Sequence, residues 1–430
     1  MFSKNQQIRI VSACFGGWTM DAFDFFITVF ALRGIADSFH VGLTAITWAL
    51  SLPLATRVFG ALLVGRLADR LGRRPLLLGN MIAFTLIEIG TCTAPSLTVF
   101  FLCRAAFGLV MGGEWGVCTS FAMESVSPRL RGVVSGLLQS GYSVGYLLAA
   151  MLYGAGYERL GWRGMYLVGI CVAACIVVLR AALPRAPVPA RAAGRQRAGL
   201  GAFAADMRGY WPRLLFAVIF MVAASTFSHG TQDLYPTMLR LERGMSVHQV
   251  ALIATIYNVG AILGCLFGGS LSQVIGRRRQ VVFATAAALL LLPFWAWASG
   301  FGATLATAFV MQFLVQCTYG VMPAYLNEMA PAGIRSTFAG FVYQVGIFLT
   351  ATNVTLQSWL AGRFGGRYSL ALALTVAIGL TLFFLLSLRG PETRQNLDMA
   401  EAADDAPRSD HAGRASPSPR PDGLSTSGLV

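Results

Sequence analysis

The chain has 430 residues, of which 56% are hydrophobic and only 12% are charged, and its mean hydropathy is +0.63. A soluble domain carries about 25% charged residues, so this composition excludes an ordinary soluble globular protein. The formal net charge of +14 would suit a nucleic-acid partner, but the arginines concentrate in alternate loops between apolar stretches. That alternation is the positive-inside pattern of membrane proteins. It predicts a lipid bilayer as the partner, no nucleic acid, and both termini in the cytoplasm of an inner (plasma) membrane protein.

Twelve apolar stretches follow one another, each of about 20 residues and long enough to cross roughly 30 Å of hydrocarbon. The predicted spans are residues 10–32, 44–64, 75–94, 97–119, 133–154, 163–183, 213–236, 248–271, 280–299, 302–325, 337–360 and 368–388.

Two of the loops between spans are copies of one another. Residues 65–74 read GRLADRLGRR, and residues 269–278, 204 positions later, read GSLSQVIGRR. The same offset relates Glu124 to Glu328 and Arg131 to Arg335. A duplicated hydrophobic chain is typical of transporters built from two bundles around a central site.

These patterns predict an all-α membrane protein with twelve transmembrane helices in two pseudo-symmetric six-helix bundles. The first bundle is predicted at residues 1–183 and the second at residues 213–390. Prolines and arginines mark residues 184–212 as a cytoplasmic linker, for which a surface helix is the alternative. Residues 391–430 are polar and rich in Ser, Pro and Gly, which predicts a disordered cytoplasmic tail.

Several functions are excluded by missing residues. Lys4 is the only lysine, so no GxxxxGK[ST] phosphate-binding loop exists and ATP-driven transport within this chain is excluded. The four histidines lie far apart, so no HExxH metal site is available. We predict no enzyme, no cofactor and no metal, and any transport must use a gradient.

The repeated loops carry the predicted gate. Glycines permit close helix approach and tight reversal, and Asp69 suits an ion pair with arginine or a bond to a neighbouring helix amino terminus. Gln273 replaces this aspartate in the second copy, so the two halves are not expected to latch equally. The predicted gating residues are Gly65, Asp69, Gly72, Arg73, Glu124, Arg131, Gly269, Gly276, Arg277, Glu328 and Arg335.

Ionisable residues inside spans are costly and are candidates for function. Candidate substrate-binding residues are Arg57, Arg104, His229 and Gln232. Candidate proton-coupling residues are Asp21, Asp24, Glu114 and Asp233. Each has a structural alternative, such as an ion pair of Asp21 or Asp24 with Arg57 that only packs helices. Pro236 is expected to break or bend the seventh span.

The loop at residues 65–74 resembles the signature loop of the major facilitator superfamily. Further residues that carry this resemblance are Arg104, Gly108, Gly112, Glu124, Arg131, Glu328 and Arg335. Residues 228–237, which read SHGTQDLYPT, resemble the seventh-helix motif of the sialate:proton symporter family, which includes lactate and pyruvate permeases, although Ser225 replaces its leading asparagine.

This resemblance implies a monomeric transporter that imports a small organic anion with a proton by alternating access. The expected substrate is a monocarboxylate such as lactate or pyruvate. The alternatives are symport of sialic acid or an aromatic acid, and export of drugs or metabolites.

Overall fold

The computed structural model describes residues 2–46, 48–184, 208–331 and 333–393, and most of these residues lie in α-helices. The linker predicted at residues 184–212 lies mostly outside the described residues, as does the predicted tail from residue 394 onward. The helices are α1 Lys4–Ser38, α2 Leu43–Ile46, α3 Trp48–Leu71, α4 Arg73–Cys92, α5 Leu97–Ser125, α6 Arg131–Ala181, α7 Trp211–Gly230, α8 Tyr235–Leu241, α9 Val247–Ile275, α10 Arg277–Trp297, α11 Phe301–Tyr319, α12 Met322–Met329, α13 Arg335–Leu349, α14 Asn353–Arg363 and α15 Tyr368–Arg389.

The described part of the chain agrees with twelve membrane crossings. Eleven helical segments in it are long and apolar enough to span a membrane. One of them contains α6, whose 51 residues hold two spans, because Gly161 has φ 61° and ψ −179° and interrupts the helical geometry. The chain therefore forms a multi-pass, all-helical membrane protein.

Three spans of the second half are broken where α7 meets α8, α11 meets α12 and α13 meets α14. The first break confirms the effect expected of Pro236, which lies in the first turn of α8. Proline is tolerated there because the first backbone N–H groups of a helix have no partner within the helix. The break lies between Gly230 and Tyr235, next to the candidate residue His229.

The two halves meet through small residues. Helix α9 packs on α6, and α13 packs on both α3 and α5. At Gly116 an added Cβ would lie 2.5 Å from the carbonyl oxygen of Ser336 and 2.7 Å from the Cα of Gly340. Because real Cβ atoms do not approach backbone so closely, only glycine permits this contact between the halves.

The repeated loops make the tight reversals that their glycines predict. Gly72 connects α3 to α4 with φ 93°, and Gly276 connects α9 to α10 with φ 99°. Both values lie in the region that favours glycine. The other two glycines lie against the opposite half, Gly65 beside Thr337 and Gly269 beside Gly132.

The boundary predicted for the tail needs correction at its first residues. The carboxylate of Glu392 accepts hydrogen bonds from the backbone N–H of Arg277 at 2.9 Å and of Arg278 at 3.1 Å. Thr393 donates to Glu328 at 2.7 Å. Residues 391–393 belong to the helical body, because Glu392 caps the free amino terminus of α10.

Candidate functional site

The end of the molecule that carries the arginine-rich loops, here called the basic end, is closed by bonds between the halves. Asp69 at the end of α3 accepts hydrogen bonds from the backbone N–H of Ser336 at 3.1 Å and of Thr337 at 2.9 Å. The Thr337 hydroxyl donates to the same carboxylate at 2.6 Å. Asp69 therefore binds the amino terminus of α13, one of the two partners that the sequence indicates for it.

The second copy of the loop makes a weaker version of this contact. The side-chain oxygen of Gln273 accepts one hydrogen bond from the backbone N–H of Gly132, at 2.9 Å, and one from Arg277 of its own half, at 3.1 Å. Gln273 is neutral, so it gains less than a carboxylate from the positive end of a helix. The predicted asymmetry of the two latches is present in the contacts.

Buried ion pairs surround both latches. Arg73 contacts Glu124 at 2.9 Å, and Glu124 also lies 3.4 Å from Arg335 of the other half. In the second half Arg277 contacts Glu328 at 2.9 Å. Arg131 donates to the backbone carbonyl of Met123 at 3.1 Å. The charged residues predicted to gate thus have polar partners at the basic end.

We expect Asp69→Asn to weaken closure of the basic end, because an amide places a donor where three donors already converge. A latch of this kind contributes roughly 1–3 kcal/mol, which corresponds to about a 5- to 150-fold shift toward the state open at that end. Gln273→Ala serves as the matched control and is expected to shift the equilibrium less. Labelling of single cysteines introduced at each end measures the shift, and equal effects of the two variants would remove the asymmetry.

Deeper in the first half, Arg57 and Asp21 form a buried ion pair. The guanidinium of Arg57 in α3 lies 3.1 Å from Asp21 of α1, and the side chains are 4% and 1% exposed. The ring of Phe25 lies 5.7 Å from the same guanidinium. One carboxylate oxygen of Asp21 and the Nε of Arg57 are buried without a hydrogen-bond partner. The pair therefore keeps bonding capacity that its own contact does not use.

An aromatic cluster joins the halves beside this ion pair. The rings of Trp115 and Tyr343 stack with centroids 3.9 Å apart, and Trp18 contacts Tyr343 and Tyr142 at 6.1 and 5.8 Å. Gln139 accepts from the indole of Trp115 at 3.2 Å and donates to the Tyr343 hydroxyl at 3.2 Å. Gln139 and Tyr343 are separated by the repeat offset of 204 residues, so they meet near the pseudo-twofold axis.

On the opposite wall, His229 and Asp233 are in contact where α7 ends. Nδ1 of His229 lies 3.4 Å from the Asp233 carboxylate, and the side chains are 36% and 33% exposed. The backbone N–H of Asp233 donates to the carbonyl of His229 at 2.9 Å, which keeps the one-turn spacing despite the helix break. Gln232 is half-buried beside them. The structure thus confirms their proximity.

Tyr142 lies near groups on both walls, since Asp21 and Arg57 of the first half and Asp233 and Tyr319 of the second all interact with it electrostatically. We call Asp21, Arg57, Tyr142, His229 and Asp233 the central site. It combines one cation, two carboxylates, a histidine and a phenol, which suits binding of a small anion and a proton.

Arg104 and Asp24 lie elsewhere. Arg104 is fully buried, with Nη1 at 2.7 Å from Asp24 and at 3.7 Å from Glu88. Its guanidinium also packs 4.1 Å from the ring of Phe107. The expectation that Arg104 contacts the substrate disagrees with this geometry, because two carboxylates already surround the guanidinium and no face of it reaches solvent.

Glu114 is committed to a third buried cluster. It forms an ion pair with Arg180, and it accepts from the side chains of Asn80 at 2.9 Å and Cys118 at 3.0 Å. Arg180 also donates to the backbone carbonyl of Leu77 at 2.7 Å. Because these donors satisfy both oxygens of Glu114, the geometry favours a structural carboxylate over the proton-coupling role expected from its position in a span.

Two members of these clusters, Glu88 and Arg180, are absent from the residues predicted from sequence. Glu88 interrupts the apolar run MIAFTLIEIG at residues 81–90, which is the same signal that singled out Asp21. Arg180 lies near the predicted end of a span, where arginine is typical of topology. The offset of 204 residues would have paired Gln139 with Tyr343.

Comparison with known proteins gives one family and several transporters. A family profile described as Major Facilitator Superfamily matches residues 14–241 and 215–419. A carboxylic acid transporter protein homolog of Saccharomyces cerevisiae is 28% identical over 81% of this chain. The matched part of this chain spans 60% of that relative's length. A sialic acid transporter of Escherichia coli is 25% identical over 90% of this chain and 95% of that transporter's length.

A solved structure shares the fold. The proton:xylose symporter bound to 6-bromo-6-deoxy-D-glucose superposes with a TM-score of 0.71 and 16% identity, over 93% of this chain and all of the other. At this identity the similarity concerns the arrangement of helices, and it agrees with two six-helix bundles.

Proposed function

The chain belongs to the major facilitator superfamily, whose members are transporters and not enzymes, and we propose that it imports a small organic anion together with protons. Its similarity to carboxylic acid and sialic acid transporters supports an anionic substrate. We place the basic end and both termini in the cytoplasm, because the arginine-rich loops obey the positive-inside rule. The transporter is proposed to work as a monomer in an inner (plasma) membrane.

The ion pair of Arg57 and Asp21 carries this proposal. Arginine binds a carboxylate through two parallel hydrogen bonds, and here its guanidinium lies at the central site between the halves. With Asp21 ionised, the pair is neutral and the guanidinium is occupied. When Asp21 binds a proton, Arg57 is left with an unbalanced positive charge and can bind the carboxylate of a substrate.

This exchange couples the anion to a proton. One arginine balances one carboxylate, so a bound substrate anion and an ionised Asp21 would leave one negative charge buried, which is costly. The substrate therefore binds together with a proton. Transport of a monoanion with one proton is electroneutral, whereas each further charge would move with about 2.3 kcal/mol per 100 mV of membrane potential.

On the opposite wall, His229 and Asp233 are proposed to guide the proton and the polar end of the substrate. A histidine is the side chain that changes charge most readily near neutral pH. Its contact with Asp233, at 3.4 Å, allows the two groups to share a hydrogen bond. Gln232 offers both a donor and acceptor at the same turn.

The closed basic end completes an alternating-access cycle. With the Asp69 latch formed, substrate and proton enter from the opposite side. Release to the cytoplasm requires the bonds from Asp69 to Ser336 and Thr337 to break. A gate of this kind needs interactions that exist in one state and are absent from the other.

A monocarboxylate such as lactate or pyruvate is the proposed substrate, because the central site offers one arginine for one carboxylate. A second candidate is an aromatic acid. The rings of Phe25 and Phe26 adjoin the central site, and the centroids of Phe26 and Tyr142 are 5.4 Å apart. Such rings favour planar substrates by stacking. Sialic acid remains the alternative that the Escherichia coli relative suggests.

Measurement of external pH tests the proposal. Adding lactate, pyruvate, an aromatic acid or sialic acid to de-energised cells that contain this protein should alkalinise the medium for the true substrate, since protons enter with it. Cells carrying Arg57→Ala are the control. Absence of alkalinisation with every acid, together with lower drug accumulation in energised cells, would favour an exporter instead.

A further inference from the structure

A second buried cluster in the first half contains more acid than base. Glu88 of α4 is 2% exposed, and both of its carboxylate oxygens are buried without a donor. Its nearest cation is Arg104, 3.7 Å away, and that arginine already binds Asp24 at 2.7 Å. The carboxyl groups of Glu88 and Asp24 both lie against Nη1 of Arg104. Two acids and one base therefore share this site.

The remaining neighbours do not supply a second positive charge. Cys103 of α5, Tyr166 of α6 and Asp21 of α1 are further titratable groups that interact with these carboxyls. The Tyr166 hydroxyl lies 2.7 Å from Thr28 of α1. Among the described residues, Arg104 is thus the cation that the two carboxyl groups share, and both Cys103 and Tyr166 are neutral in their ordinary forms.

We propose that Glu88 and Asp24 share one proton beside Arg104, and that Glu88 is the residue that makes this cluster a proton-binding site. Two carboxyl groups that lie against one guanidinium nitrogen repel each other when both are ionised, and sharing one proton removes that repulsion. A single guanidinium balances one carboxylate, so the second acid retains its proton when it is buried. The Glu114 cluster of the same bundle provides the contrast, since one acid there faces one arginine, Arg180.

The use of this proton in transport rests on the proposed function. Asp24 and Asp21 are three residues apart on α1, so the cluster lies next to the central site along one helix. Loss of the shared proton would leave the cluster with a net negative charge. If the cluster releases this proton during the transport cycle, a second proton is therefore transported in addition to the one carried with the substrate.

Infrared spectroscopy of the purified, substrate-free protein at neutral pH tests the site directly. A protonated carboxyl gives a C=O stretching band that an ionised one lacks. Difference spectra of wild type against Glu88→Gln and against Asp24→Asn should each show the loss of one such band, because either change leaves one acid for one arginine. Glu114→Gln is the matched control and should keep the band.

Retention of the band in Glu88→Gln, or its loss in Glu114→Gln, would overturn the assignment. If Glu88→Gln fails to fold, Glu88→Met replaces the acid with an apolar chain of similar length and is read in the same way. In vesicles, Glu88→Gln should lower the accumulation driven by a pH gradient without abolishing it, because the proton carried with the substrate remains. If the infrared band is present but no anion drives proton movement, the proton-binding site stands and the proposed symport is refuted.

Discussion

Substitution of Arg57 by alanine is expected to abolish saturable uptake of the substrate anion, while the protein still inserts in the membrane. The variant removes the guanidinium proposed to bind the substrate carboxylate and leaves Asp21, 1% exposed, without its cation. Truncating one member of a buried ion pair costs about 3–5 kcal/mol when the other stays charged. Asp21 avoids most of this cost by binding a proton, so folding should survive better than transport.

Arg57→Lys gives a graded version of the same test. Lysine keeps the charge but loses the two parallel hydrogen bonds, and the loss of one charge-assisted bond costs about 1.5–3 kcal/mol. Substrate affinity should therefore fall by roughly 10- to 150-fold, since about 1.4 kcal/mol corresponds to a factor of ten. The exposed Arg163 provides the control Arg163→Ala. Wild-type affinity in Arg57→Ala, measured by thermal stabilisation or by uptake, would rule the assignment out.

The architecture was predictable from sequence because it depends on length, hydropathy and duplication. Apolar stretches long enough to cross a bilayer leave little freedom in secondary structure, since a lipid-exposed backbone must bond internally. The glycines of the two repeated loops likewise predicted reversals at Gly72 and Gly276, where the values of φ are 93° and 99°. The break at Gly161, with φ 61° inside α6, was predicted only as a gap between spans.

The pairing of charged side chains was predictable only in part. An ionisable residue in a span signals a functional or structural cluster, but its partner depends on how helices rotate against each other. Arg57 was therefore the first candidate for the substrate and Arg104 the second, although the sequence could not show that one lies at the central site and the other between Asp24 and Glu88. The same limit applies to Asp69, whose partner type was predicted and whose partner helix, α13, was not.

The last prediction separates the driving proton from substrate binding. If the His229 and Asp233 pair or the acids of α1 carry the proton, neutralising the carrier should abolish accumulation against a gradient. Counterflow of labelled substrate needs no net proton movement and should survive. The variants are Asp21→Asn, Asp24→Asn, His229→Ala and Asp233→Asn, and the exposed Asp37 of the same helix α1 supplies the control Asp37→Asn.

Accumulation and counterflow, both measured in vesicles with an imposed pH gradient, distinguish a residue that carries the proton from one that binds substrate. Because His229 and Asp233 lie 3.4 Å apart, loss of either side chain removes the same contact, and their variants should behave alike. Asp21→Asn should also raise the affinity for the anion, since its partner Arg57 then lacks an internal carboxylate. A residue whose variant loses counterflow as well binds substrate or holds structure, and proton coupling then belongs to another. Concentration of substrate by all four variants would show that none of these residues carries the driving proton.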